Sequence, residues 1–120
     1  MTSQDLRLAV VGPCAAGKST LIEGLKRHGY QARHVAQEHS YVPAMWKLLA
    51  SPDVLIFLDV SYQVSKQRTD SSWQEKIFNK QLKRLSHARD HADLTIQTDQ
   101  LSPEEVLDQV LEFLGGFDHG

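Results

Sequence analysis

The sequence predicts an α/β domain, a three-layer sandwich around a short, mainly parallel sheet of about four strands. Three observations lead there. Residues 6–11 and 53–60 are nearly unbroken apolar runs, which suits strands buried on both faces. Segments with apolar residues at helical spacing separate the strand-like runs. The regular alternation of the two types is what βαβ crossovers and a parallel sheet produce.

The first strand, residues 6–11, ends at Gly12. A helix over 19–28 follows, with Leu21, Ile22 and Leu25 on one face and Gly29 placed to terminate it. The second strand covers 31–36. A short helix over 43–50 begins at Pro43 and carries Met45, Trp46, Leu48 and Leu49. Pro52 opens the third strand, 53–60. One helix is expected over 61–69 and a longer one over 73–91, with Trp73, Ile77, Gln81, Leu85 and Ala88 along one stripe. The last strand is 93–97. The closing helix has Ser102 as N-cap, Pro103 in its first turn and Glu105 completing a capping box. Its apolar face is Val106, Leu107, Val110, Leu111 and Leu114, and Gly115-Gly116 is expected to end it.

Size and composition narrow the classes. The 120 residues fit a single domain, 1–120. Thirteen Lys and Arg against fifteen Asp and Glu give a net charge of −2, unlike the basic footprint of a nucleic-acid binder. Hydrophobic residues at 41% and charged residues at 23% are values of a globular domain rather than a disordered chain. The single cysteine, Cys14, excludes an intrachain disulfide and makes a reducing, cytoplasmic setting the expectation. No run approaches the roughly 20 apolar residues of a membrane span, and residues 1–5 lack the positive cluster of a signal peptide. A soluble protein with no membrane partner is expected.

The chemistry is concentrated in Gly12-Pro13-Cys14-Ala15-Ala16-Gly17-Lys18-Ser19, which matches G-x-x-x-x-G-K-[ST], the P-loop. Main-chain N–H groups of such a loop and of the helix after it form a concave set of donors for phosphate oxygens. Glycines at both ends permit close backbone approach. Lys18 would reach the β- and γ-phosphates and the Ser19 hydroxyl would bind Mg²⁺, with Thr20 completing the nucleotide-binding segment. The motif also stands in its required context, after a buried strand and before an amphipathic helix.

With that motif in place, the chain resembles the P-loop NTPases, and within them the nucleoside and nucleotide kinases. Three further stretches carry the likeness. Pro52-Asp53-Val54-Leu55-Ile56-Phe57-Leu58-Asp59-Val60, followed by Arg68, is similar to a strand and helix of those kinases. Arg84 and Arg89 fall where they place a basic lid. Residues 92–99, then Leu101-Ser102-Pro103-Glu104-Glu105, are similar to their last strand and helix. The resemblance implies ATP as cosubstrate, Mg²⁺, a small-molecule acceptor, and lid arginines that stabilise the transferring phosphoryl group.

The chain departs from that pattern in length. The kinases usually have five core strands, and about fifteen residues here separate the second strand from Pro52. That is too few for the usual helical acceptor-binding insertion plus another strand. A pared-down fold, with the 31–36 strand beside the 6–11 strand, would present Gln37-Glu38-His39-Ser40 at the crevice where open α/β sheets bind ligands. Glu38 is then a candidate to hold Mg²⁺ through water or to accept a proton from an acceptor hydroxyl. Asp59, at the end of an apolar run as in a Walker B pattern, is the rival carboxylate.

Residues 66–91 hold seven Lys or Arg and three acids, whereas 93–120 hold seven acids and no Lys or Arg. The basic segment is either a solvated helix face or a lid that turns arginines onto phosphate; Arg84 and Arg89 are the favoured pair and Arg68 a third candidate. His87 and His91 stand at i and i+4, but Ala88 occupies the place of the Glu in H-E-x-x-H. His39 is either an acceptor-site or an ordinary loop residue, and Tyr41 and Trp46 stack on a base or pack a helix. Asn79-Lys80-Gln81-Leu82 lacks the Asp of a guanine-reading N-K-x-D, so ATP is expected over GTP.

Two functions follow as expectations. One is an ATP- and Mg²⁺-dependent phosphotransferase acting on a small molecule. The alternative is a nucleotide-binding or slowly NTP-hydrolysing regulatory module with no small-molecule acceptor.

Overall fold

In the computed structural model, which describes residues 6–13, 15–35, 47, 52–69 and 75–118, four strands lie parallel in one sheet. They are β1 (Arg7–Val11), β2 (Gln31–His34), β3 (Val54–Asp59) and β4 (Leu94–Gln97), in the spatial order β2-β1-β3-β4. Four helices are described: α1 (Lys18–Arg27), α2 (Tyr62–Thr69), α3 (Glu75–His91) and α4 (Pro103–Asp118). Leu8 stands opposite Ala32 of β2 and Val54 of β3, and Ile56 opposite Leu94 of β4. The β2–β1 ladder is extended by the Val35 N–H, which donates to the Val10 carbonyl at 3.3 Å.

Alternation along the central strands sends side chains to both faces, and each face has its own apolar cluster. Leu8, Val10, Val54, Ile56 and Leu58 pack with Leu21, Ile22 and Leu25 of α1 and Val106, Val110 and Leu114 of α4. Ala9, Val11, Leu55 and Phe57 pack with Leu85 and Ala88 of α3. Burying each large aliphatic or aromatic side chain contributes about 1.5–3 kcal/mol, so these two clusters carry the fold. No described helix is long and apolar enough to cross a membrane.

Two aspartates start strands in the same way. Asp53 receives the Arg7 N–H on its carboxylate at 2.9 Å while its own N–H donates to the Arg7 carbonyl at 2.8 Å. Asp93 receives the Leu55 N–H at 2.7 Å and donates its N–H to the Leu55 carbonyl at 2.8 Å. Each carboxylate satisfies a main-chain donor just where the ladder begins. At the start of α4 the expected capping box is present: Glu105 N–H donates to the Ser102 hydroxyl at 3.1 Å, and Ser102 N–H to the Glu105 carboxylate at 2.9 Å. The Ser102 main-chain bond, then its hydroxyl, hold the Glu105 pKa below its ordinary 4.5.

Two expectations require correction. The buried stripe of α3 is Phe78, Gln81, Leu85 and Ala88, and Ile77 is 46% exposed. Steps of three, four and three residues follow the 3.6-residue repeat, whereas repeated steps of four drift around the helix. Trp73, at the head of the expected stripe, lies outside the described residues. Helix α4 also runs through Gly115-Gly116 to Asp118. A helical glycine costs only about 1 kcal/mol relative to alanine, too little to stop a helix whose Leu114 is fully buried. The helix expected over 43–50 lies outside the described residues except for Lys47, which is helical.

Candidate functional site

The strand order reverses between β1 and β3, since β2 lies beyond one and β4 beyond the other. Such a switch point opens a crevice at the carboxyl ends of the strands. The loop from Gly12 to Gly17 leaves β1 there. Gly12 lies so close to β3 that a Cβ would overlap the Leu58 carbonyl oxygen. Ala15 has φ 67°, and Gly17 caps α1 at φ 93°, a left-handed conformation natural to glycine. Between them the Ala16 N–H closes a turn onto the Pro13 carbonyl at 3.3 Å.

Gly17 has no side chain to cap α1, and the first turn of that helix carries no acid. The positive end of the helix dipole therefore faces the loop with no carboxylate of the helix's own first turn against it. Lys18, 8% exposed, turns its ammonium back and donates from Nζ to the Gly12 carbonyl. Ser19 and Thr20 are exposed on the same turn. The result is a left-handed turn at Ala15 and Gly17 beside a helix N-terminus, with the Lys18 ammonium folded onto the loop, an arrangement able to take an anion by exchanging a carbonyl partner for a phosphate or carboxylate oxygen.

Beside the loop lies a cleft of about 210 Å³, lined by Ala15, Ala16, Gly17, Thr20 and Leu21, by Arg68 of α2, and by Thr98, Leu101, Pro103 and Val106. Its walls are mainly apolar. Arg68 is the expected arginine that reaches the loop, donating from Nη1 to the Ala15 carbonyl at 3.0 Å. Arg89 instead donates to the Asp59 carboxylate at 2.8 Å and lies over the Phe57 ring at 5.6 Å from its centroid. Arg84 is half-buried on α3, and neither it nor Arg89 lines the cleft.

Asp59 is engaged on both oxygens, since Oδ1 accepts the Val60 N–H at 2.9 Å and Oδ2 accepts Arg89. Glu38 and Cys14 lie outside the described residues, as do His39, Tyr41 and Trp46. His87 and His91 stack with ring centroids 4.2 Å apart, and His91 Nδ1 is hydrogen-bonded to the His87 carbonyl at 2.8 Å. Among the described residues no group of three or more His, Cys, Asp or Glu is placed to hold a metal ion. Thr98, not singled out from sequence, proves central: it is 1% exposed and joins β3, β4 and Arg68. A hydroxyl residue directly after the last strand was the available signal.

No protein-family model matches the chain, and no curated protein matches it by sequence.

Proposed function

We propose that the chain is a cytoplasmic ATP- and Mg²⁺-dependent phosphotransferase, a shortened small-molecule kinase of the nucleoside and nucleotide kinase branch of the P-loop NTPases. The observation that carries the reading is the loop of residues 12–18. The residues of the G-x-x-x-x-G-K-[ST] pattern stand at a switch point, with Gly12 against β3, an uncapped helix end, and the Lys18 ammonium folded into the loop. Lys18 and the loop amides would hold the β- and γ-phosphates. The cleft of about 210 Å³ is smaller than the roughly 300–1,000 Å³ of whole-ligand pockets, so it would take one part of a nucleotide, with the phosphates on the loop.

The exposed Ser19 hydroxyl, next to Lys18 on the first turn, fits a magnesium ligand; the ion would offset charge on the phosphates. Glu38 is the carboxylate for water-mediated metal binding or for proton acceptance. Asp59 fits less well while Arg89 and Val60 occupy it. Arg84 and Arg89 would act from α3 as lid cations, and Arg89 would first have to exchange Asp59 for phosphate.

The second reading, a nucleotide-dependent regulatory module, is favoured by the shortness of the β2–β3 connection, too short for the usual helical acceptor-binding insertion plus another strand. One assay separates the two. Transfer of labelled γ-phosphate from ATP to nucleosides, nucleotides or other hydroxyl compounds is the result expected. Phosphate release unchanged by every acceptor would favour the module. Mg-ATP at a hundredfold excess over Kd should add about 2.7 kcal/mol of stability. Lys18→Ala should abolish that gain, and a full gain in the variant would sink both readings.

A further inference from the structure

Arg68, in the last turn of α2, spans the gap between the loop and the end of β4. Its Nη1 donates to the Ala15 carbonyl at 3.0 Å and to the Thr98 hydroxyl at 3.1 Å, and its Nη2 to the Thr98 carbonyl at 2.7 Å. Thr98 is itself fixed to the sheet. Its N–H and its hydroxyl both donate to the Asp59 carbonyl, at 2.9 and 2.8 Å. The planar guanidinium therefore links an immobile point on β3 and β4 to the carbonyl of Ala15. Ala15 stands at φ 67°, a conformation that non-glycine residues avoid for steric reasons, so something must hold it there. All three bonds go to uncharged oxygens, which leaves the positive charge of Arg68 uncompensated by these partners.

We infer that Arg68 is a positioning residue for nucleotide binding, holding Ala15 and the loop around it in the shape that presents main chain to phosphate. The inference rests on the reading of that loop as the phosphate site. Gly12 is pinned against β3, and Arg68 pins the loop a second time at Ala15. A loop ordered in advance need not be ordered by the ligand, so Arg68 raises affinity through the shape of the loop. Its effect runs through Ala15 and Thr98.

The test uses the whole chain and two measurements. In nucleotide-free Arg68→Ala, amide hydrogen exchange over residues 15–20 should quicken by about tenfold or more while the amides of β1 and β3 keep their protection. Unchanged exchange in that segment, or equal loosening of the whole sheet, would overturn the inference. Calorimetric titration with Mg-ATP and with Mg-tripolyphosphate should then show Arg68→Ala binding both about tenfold more weakly. Arg68→Lys should recover part of the loss. Thr98→Val, which keeps Arg68 but removes its hydroxyl partner, should weaken both ligands in the same direction by less. Loss of ATP affinity with tripolyphosphate unaffected would mean that Arg68 meets the nucleoside instead, and intact affinity in Thr98→Val would break the strut. If Lys18→Ala leaves both affinities unchanged, the phosphate reading itself fails, and the exchange experiment still decides whether Arg68 holds the loop.

Discussion

Arg89 and Asp59 meet at 2.8 Å across the carboxyl end of β3, and the bond fastens α3 to the sheet above the Phe57 ring. The Asp59 side chain is 16% exposed and that of Arg89 50%, so solvent screens the pair only in part. A double-mutant cycle of Asp59→Asn and Arg89→Ala should give a coupling of about 0.5–1 kcal/mol in urea unfolding. Strict additivity would mean that the contact contributes nothing to stability.

Gly12→Ala should affect both folding and ligand binding. The new methyl would overlap the Leu58 carbonyl oxygen, which belongs to a central strand and cannot step aside. Overpacking of this kind costs about 1–3 kcal/mol, and moving the loop away from β3 would spoil the shape that the proposed phosphate site requires. Thermal melts with and without Mg-ATP check both parts. A variant with wild-type stability and a normal ATP shift would contradict the tight contact.

Asp93→Ala should be more damaging than its exposed position suggests. Its carboxylate takes the N–H of Leu55, which is 2% exposed and has no solvent to turn to. An orphaned buried donor costs about 1–3 kcal/mol, measurable as a lower urea midpoint with little change in slope. Asp93→Asn, which retains an acceptor oxygen, should recover part of it.

These contacts mark the boundary of what could be read beforehand. The two apolar runs and the P-loop pattern were enough to expect β1 and β3 buried in a parallel sheet, and the shortness of the 37–51 connection was enough to put β2 beside β1. Such features are written in local composition and chain length. Ile77 and Phe78 are both apolar, so composition did not separate them; the helical repeat through Gln81, Leu85 and Ala88 takes Phe78, whose ring lies 5.8 Å from that of Tyr62 between centroids. The roles of Arg68 and Thr98 join segments thirty residues apart and have no signature within either segment. The continuation of α4 past two glycines likewise depends on the packing of Leu114, which propensity does not register.

The Ser102–Glu105 capping box makes a pH-dependent prediction. Because the folded state holds the Glu105 pKa below 4.5, the ionised carboxylate stabilises the fold at neutral pH. That contribution is complete above the ordinary pKa and disappears as pH falls through the lowered one. Glu105→Gln should therefore melt below the wild type at pH 7, with the gap closing as the pH drops beneath 4.5. Ser102→Ala should cost about 1 kcal/mol at pH 7 through loss of the cap. A Glu105→Gln gap that is constant with pH would show that charge plays no part.

The choice between Glu38 and Asp59 is settled by exchanging each carboxylate for its amide. The ladder of β2 runs beside β1 as far as the Val35 N–H, at the same end of the sheet as the loop. Glu38 follows Val35 by three residues in the sequence. Asp59 sits at the neighbouring strand end, but its oxygens already accept Val60 N–H and Arg89. On the proposed phosphotransferase reading, Glu38→Gln should leave the Mg-ATP thermal shift nearly intact and lower turnover by about 10²–10⁴-fold, the usual worth of a positioned acid or base. Asp59→Asn should lower the melting temperature while turnover stays within a few-fold of wild type. The opposite pair of results, with Glu38→Gln active and Asp59→Asn silent in transfer, would give the role to Asp59. It would also mean that Arg89 must release that carboxylate during each catalytic cycle.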